Sequence, residues 1–229
     1  KDGENPFRMG TVRQAKATKR KKTSQVSYQP RFKEAGKYAV YVSYQSLPKS
    51  VSDAKYIVYH KGEATEFSVN QRMGGGTWVY LGTFDFDKGC NEFNRVVCTN
   101  HASRRGVVTT DAVRFGGGMG NIERGGFVSG MPRCLEGARY YAQWAGAPYS
   151  VYGGRKGKND YADDINTRSL MTNWLGGGSV YMPAKNGKHV PIELSLALHS
   201  DAGYNKDGKS TFGALATVSY THLRAHETS

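Results

Sequence analysis

The run Val190-Pro191-Ile192-Glu193-Leu194-Ser195-Leu196-Ala197-Leu198-His199 is dense in apolar residues and stops at a histidine followed by Ser200, Asp201, Ala202 and Gly203. That pattern predicts a buried strand that delivers an imidazole to the mouth of a sheet. An imidazole held on a strand end suits metal ligation, because few rotamers are lost and the second ring nitrogen can be fixed by a neighbouring acceptor. The same histidine could equally serve only to satisfy nearby backbone groups, and spacing alone leaves both readings open. A second pair, His222 and His226, has the helical spacing of metal ligands. Two further candidates are Trp78 and Tyr80, whose rings could stack on the apolar face of a sugar or fill a core. Glu136 is a carboxylate at a helix start, where negative charge is stabilising without any catalytic duty.

The elements that must carry these residues fall into two zones. From Gly36 onward, short alternating segments are separated by turn residues such as Lys61-Gly62, Gly74-Gly75-Gly76 and Lys88-Gly89. Strands are expected at Tyr38 to Tyr44, Lys55 to His60, Thr65 to Asn70, Thr77 to Phe86, Phe93 to Thr99, Val107 to Thr109 and Asp111 to Phe115, which makes a complete sandwich. Tyr38, Val40, Val42 and Tyr44 should share one face of it. Beyond it, Leu135 to Trp144 and Asp160 to Leu175 read as helices, Tyr149 to Tyr152 as a short strand, and Gly176-Gly177-Gly178 as a helix stop. Helix, helix and buried strand suggest part of an open α/β sheet, where sites gather at the carboxyl ends of strands.

Composition narrows the classes. A chain of 229 residues, 38% hydrophobic and 12% aromatic, can form one large or two small cores, and its 29 glycines imply many turns. No run approaches the roughly 18 apolar residues of a membrane span, and Lys1-Asp2-Gly3-Glu4 has no apolar signal core. Cys90, Cys98 and Cys134 form no CxxC pair. A Cys90–Cys98 bridge across a hairpin is conceivable, but unpaired buried thiols are the expectation. Residues 1–37 hold eleven Lys and Arg against Asp2, Glu4 and Glu34, so +8 of the +13 net charge lies there. The run Lys19-Arg20-Lys21-Lys22 lacks the interleaved aromatics and motif spacing of a nucleic-acid reader, so a solvated basic linker over residues 1–35 is expected and no nucleic-acid partner. The same charge could attract an anionic cell-wall polymer. The glycines at 116–118 are followed by Asn121 where a dinucleotide fingerprint needs Gly or Ala, and no Gly-Lys-Ser/Thr follows, so they read as a turn.

Two resemblances add to this reading. The stretch ending in Leu198-His199-Ser200-Asp201-Ala202 resembles the histidine strand of zinc-dependent N-acetylmuramoyl-L-alanine amidases, which implies that His199 is a zinc ligand. It also implies that Arg168 and Asn173, on the preceding helix, contact substrate or anchor that helix. The strings Tyr38-Ala39-Val40-Tyr41-Val42-Ser43-Tyr44, Ala54 to His60, Phe67 to Gln71, Gly75 to Phe84 and Asp111 to Phe115 resemble the golvesin/xanthan-lyase carbohydrate-binding-like domain over about residues 36–118. In Bacteroidetes amidase-like proteins of this kind the sandwich is inserted within the amidase domain.

Together the resemblances imply a β-sandwich at 36–118 inserted in an incomplete α/β zinc-amidase domain whose later part is 119–218. Residues 219–229 depart from the family and are expected to be a non-native tail, and the chain a fragment. The implied parent is a secreted or periplasmic peptidoglycan hydrolase using Zn2+, with its other ligands and catalytic glutamate outside this sequence. The alternative is a non-catalytic module that binds a glycan or the cell wall.

Overall fold

The computed structural model describes residues 11–116 and 136–196, together with two short strands at 123–124 and 127–128. Nine strands precede residue 116: β1 Arg13–Lys16, β2 Gln25–Tyr28, β3 Gly36–Ser43, β4 Ala54–His60, β5 Glu63–Val69, β6 Val79–Phe86, β7 Arg95–Thr99, β8 Val107–Thr110 and β9 Ala112–Phe115. They pair antiparallel throughout, in a four-stranded sheet ordered β2-β7-β4-β5, a three-stranded sheet ordered β6-β3-β9, and a β1-β8 pair. β10 (Glu123–Arg124) and β11 (Phe127–Val128) pair only with each other. All seven strands expected between residues 36 and 115 are present.

The core lies between the two sheets. Val40 and Val42 of β3 meet Tyr56 and Val58 of β4, Val96 and Cys98 of β7, and Phe86 of β6. Tyr44 is buried with them and Tyr38 packs against their edge, so the expected face of β3 is the core face. Gln71 is fully buried and pairs its amide with the backbone of Thr109 as a strand residue would: Nε2 donates to the Thr109 carbonyl at 2.6 Å, and Oε1 accepts from the Thr109 N–H at 2.9 Å. This side chain satisfies backbone groups that would otherwise be buried without partners.

The residues expected to be a basic linker instead supply β1 and β2. β2 borders β7, with Val26 opposite Cys98 and Tyr28 opposite Val96, and the Tyr28 hydroxyl lies 2.8 Å from Thr110 Oγ1. Such edge strands bury one face of only four residues. Arg13, Lys16 and Gln25 are exposed, and so short a pattern is hidden within a cationic stretch.

After residue 135 the chain forms α1 Ala138–Trp144, α2 Tyr149–Tyr152 and α3 Asp160–Gly176. Ala142, Ala147, Val151 and Tyr152 are buried against Leu170, Met171 and Trp174. This apolar nucleus is small, and two adjacent acids of α3 reinforce it. Asp164 Oδ1 accepts from the Arg139 N–H at 3.0 Å and so holds the start of α1, while Asp163, almost fully buried, accepts from the backbone N–H groups of Arg155 and Gly157. The Asn159 side chain caps α3 by accepting from the Ala162 N–H at 2.9 Å.

Two expectations fail here. Tyr149 to Tyr152 is a helical turn rather than a strand: Pro148, with φ −65°, precedes it, and burial of Val151 and Tyr152 against α1 and α3 outweighs the strand preference of four residues. The described part of the expected histidine strand, Val190 to Leu196, is in no strand, and Leu194 and Leu196 are 72% and 84% exposed. A buried strand needs ladder partners, and among the described residues none lies beside this segment. His199 itself lies outside the described residues. What the structure supports is thus an antiparallel β-sandwich followed by three helices, and the α/β amidase sheet is not seen among the described residues.

Candidate functional site

The outer face of β3 is as buried as its inner face. Tyr41 there is fully buried and Ala39 nearly so. A bulge accounts for what covers them. The β3–β6 register shifts between Val40, opposite Gly82, and Tyr41, opposite Tyr80, so Leu81 is an extra residue. Core-facing positions are Val79 and Leu81 before the shift and Phe84 and Phe86 after it, which leaves Trp78 and Tyr80 on the outer face with Tyr41. Tyr80 packs on Tyr41 with ring centroids 5.3 Å apart, and Trp144 from α1 stacks on Tyr41 at 6.5 Å and 19°.

Arg114 of β9 clamps α1 to the sheet. Its guanidinium lies 4.4 Å from the Trp78 ring centroid and 4.2 Å from that of Trp144, and Nη1 donates to the Trp144 carbonyl at 3.0 Å. The last carbonyls of a helix lack partners within it, and the negative end of its dipole favours a cation. The sandwich supplies both: Arg114 caps Trp144, while the Trp78 N–H, at 2.9 Å, and the Thr77 hydroxyl donate to the Ala145 carbonyl.

A second contact joins the segment after α3 to the Gly74-Gly75-Gly76 turn. The Gly74 N–H donates to the Lys188 carbonyl at 3.1 Å, and Lys188 Nζ donates to the carbonyls of Gly75 and Gly76 at 3.0 and 3.2 Å. On its other side the turn lies against Ser46, and Gly75 must be glycine there, since a Cβ would sit 2.3 Å from the Ser46 nitrogen. The Lys188 ammonium also lies 5.3 Å from the Trp174 ring centroid, and burial pulls its pKa below the ordinary lysine value. Beside it, His189 has a left-handed backbone, φ 62°, with Nδ1 3.1 Å from the Gly178 carbonyl oxygen.

Two clefts open at this junction, and Tyr44 lines both. One, about 460 Å³, runs between β5, β6 and the helices and is walled by Phe67, Trp78, Tyr80, Leu81, Tyr141 and Met171. The other, about 400 Å³, is polar, with Gln45, Ser46, Asp111, Lys188 and His189 on its walls. The first offers aromatic and aliphatic surface. The second offers an amide, a hydroxyl, a carboxylate, an ammonium and an imidazole, which can accept from and donate to a polyhydroxylated ligand.

Among the residues singled out from sequence, Trp78 and Tyr80 are brought onto one face and into one cleft, although Trp78 also holds Arg114. Arg168 and Asn173 line neither cleft. Arg168 pairs with Asp164 at 3.3 Å, one turn back on α3, and Asn173 Oδ1 is buried with no hydrogen-bond partner among the described residues. Glu136 is half-buried ahead of α1. Cys90 is exposed, contrary to expectation, and Cys98 is buried; both are free thiols. His222, His226 and Cys134 lie outside the described residues, as does His199. Among the described residues no group of three His, Cys, Asp or Glu could hold a metal ion. Sequence reading missed Arg114, Trp144 and Lys188. Only Arg114 left a signal, as a cation inside the apolar Ala112-Val113-Arg114-Phe115 strand.

Residues 4–117 match the family described as the golvesin C-terminal domain. Over 97 residues the chain is 34% identical to a xanthan lyase of Bacillus sp. (strain GL1), an alignment that takes in 42% of this chain and 10% of that protein. A solved structure of Paenibacillus xanthan lyase overlaps with a TM-score of 0.42 at 25% identity, covering 49% of this chain and 11% of that one. The chain thus spans about a tenth of the length of the relatives it matches.

Proposed function

We propose, from the premise that residues 4–117 form a golvesin/xanthan-lyase-like domain, that this chain is a glycan-binding module whose site is the paired cleft between the sandwich and the helices. The observation that carries the reading is the adjacency of an aromatic cleft and a polar one across the single side chain Tyr44. A pyranose presents an apolar C–H face and a rim of hydroxyls, so it needs both surfaces at once. The cleft volumes fall in the range of about 300–1,000 Å³ common to small-ligand sites. Tyr80 and the edge of Trp78 would take the apolar face, while Gln45, Asp111, Lys188 and His189 would take hydroxyls.

Such a module acts on glycans outside the cytoplasm, and peptidoglycan is one candidate among them. Among the described residues no helix is long and apolar enough to cross a membrane. The zinc-amidase reading of residues 190–203 rests on sequence resemblance. Its one expected ligand, His199, lies outside the described residues, among which no three ligand side chains come together. No hydrolytic step is derived from them.

The test is calorimetric titration with neutral cello-, manno- and chito-oligosaccharides. Tyr80→Ala should weaken binding of whichever ligand is bound at least tenfold, about 1.4 kcal/mol, with thermal unfolding still cooperative. Unchanged affinity in that variant would remove the aromatic cleft from the site.

A further inference from the structure

Two basic turns remote in sequence meet at one end of the sandwich. The connection between β1 and β2 carries Lys19, Arg20, Lys21 and Lys22 just after Lys16, and the turn between β7 and β8 carries Arg104 and Arg105. Backbone pairing locks the two together. The Ala17 N–H donates to the Gly106 carbonyl at 2.9 Å, the Thr18 N–H to the Asn100 carbonyl at 2.9 Å, and the Ala102 N–H to the Thr18 carbonyl at 3.0 Å. Buried Asn100 then holds the first turn with its whole amide: Oδ1 accepts from the Thr23 and Ser24 N–H groups at 3.0 Å each, and Nδ2 donates to the Lys16 carbonyl and Thr23 Oγ1 at 2.9 Å each.

Lys16 at the end of β1 and the six cations of these turns are all exposed, and neither 16–22 nor 101–106 contains an acid. Asp53, which reaches the second turn, uses Oδ2 to accept from the Ser103 N–H at 2.7 Å. Among the described residues Lys22 Nζ meets a neutral partner, the Gln25 side chain at 2.7 Å. Crowded like charges on a fixed backbone raise the free energy of the unliganded chain and are relieved by a polyanion. Because the turns are held in place, little ordering entropy is lost on binding.

We infer that this end of the sandwich binds the carboxylate groups of an acidic polysaccharide. The inference rests on the glycan-binding reading and extends it with a substrate class. A polymer is indicated because the cations stand on open turns rather than around a pocket. A polysaccharide is favoured over nucleic acid because residues 16–24 and 100–107 contain no Phe, Tyr or Trp on which bases could stack.

The experiment is native affinity electrophoresis of the whole chain in gels containing polygalacturonate or the same polymer after carboxyl reduction, with a single-stranded oligonucleotide as a third matrix ligand. Wild type should be retarded at least tenfold more strongly by polygalacturonate than by the reduced polymer, with the difference shrinking as salt rises. Lys19→Gln/Lys21→Gln/Arg104→Gln/Arg105→Gln should abolish that preference. Arg155→Gln/Lys156→Gln/Lys158→Gln, exposed cations beside α3, should retain it. Equal retardation by the acidic and reduced polymers would overturn the carboxylate site and leave the glycan reading standing. Equal loss in both variants would overturn its location. Tighter binding of the oligonucleotide than of either polysaccharide would overturn the polysaccharide assignment, while the cleft reading stands or falls by its own titration with neutral oligosaccharides.

Discussion

Cys98 shows how one residue couples the core to pH. It faces the core from β7, and burial pushes its thiol up to about 11 from an ordinary 9.0. A group whose folded pKa is raised contributes stability that is complete below the unfolded value and is lost as pH rises through the folded one. For Cys98 that window is pH 9 to 11, and a two-unit shift corresponds to on the order of 3 kcal/mol. The buried Tyr44 phenol, pushed up to about 12, acts in the same direction from pH 10 upward. Lys188 acts oppositely: its depressed pKa means that stability rises with pH toward 10.5. Comparing Cys98→Val with wild type cancels both contributions. Urea midpoints should fall clearly less from pH 8 to 10.5 in Cys98→Val than in wild type, whereas parallel falls would show that the folded thiol titrates like the unfolded one.

At the scale of elements, legibility followed how many residues agreed on a pattern. β3 was readable because Tyr38, Val40, Val42 and Tyr44 alternate over a long strand, and α3 because seventeen residues begin at an asparagine cap. β1 and β2 were hidden because each is an edge strand of four residues, with Arg13 and Lys16 of β1 exposed and Lys19 to Lys22 between the two. The Val40/Tyr41 bulge, which decides where Trp78 and Tyr80 point, is a register property that no residue pattern announces. The docking cation Arg114 and its partner Trp144 are thirty positions apart, so only the fold pairs them. The β4–β5 hairpin was legible from Lys61-Gly62, and it carries a measurable strain. Both residues have positive φ, 47° and 85°, the two-residue turn that suits asparagine followed by glycine. Lys61→Asn should therefore raise stability by about 0.5 kcal/mol, and Lys61→Val should lower it by about 1 kcal/mol or more, in urea denaturation. Equal stability of the two variants would mean that the turn relaxes out of this conformation.

At the scale of the molecule, the described residues form a sandwich whose outer face is closed by helices, and the clefts lie where the two parts meet. Trp144 and Arg114 seal one side of the contact, and Lys188 bridges the other through the Gly75 and Gly76 carbonyls. The apolar wall is contributed by both parts, with Phe67, Tyr80 and Leu81 facing Tyr141 and Met171. On the proposed reading, glycan binding belongs to the junction rather than to the sandwich alone. The most direct measurement is a titration of the isotope-labelled chain with a neutral oligosaccharide, followed by amide chemical shifts. The account predicts saturable shifts that cluster at Gln45, Gly75, Tyr80, Leu81, Tyr141 and Lys188. Saturable shifts confined to the distant face of the β2-β7-β4-β5 sheet, or no shifts with any neutral glycan, would contradict it.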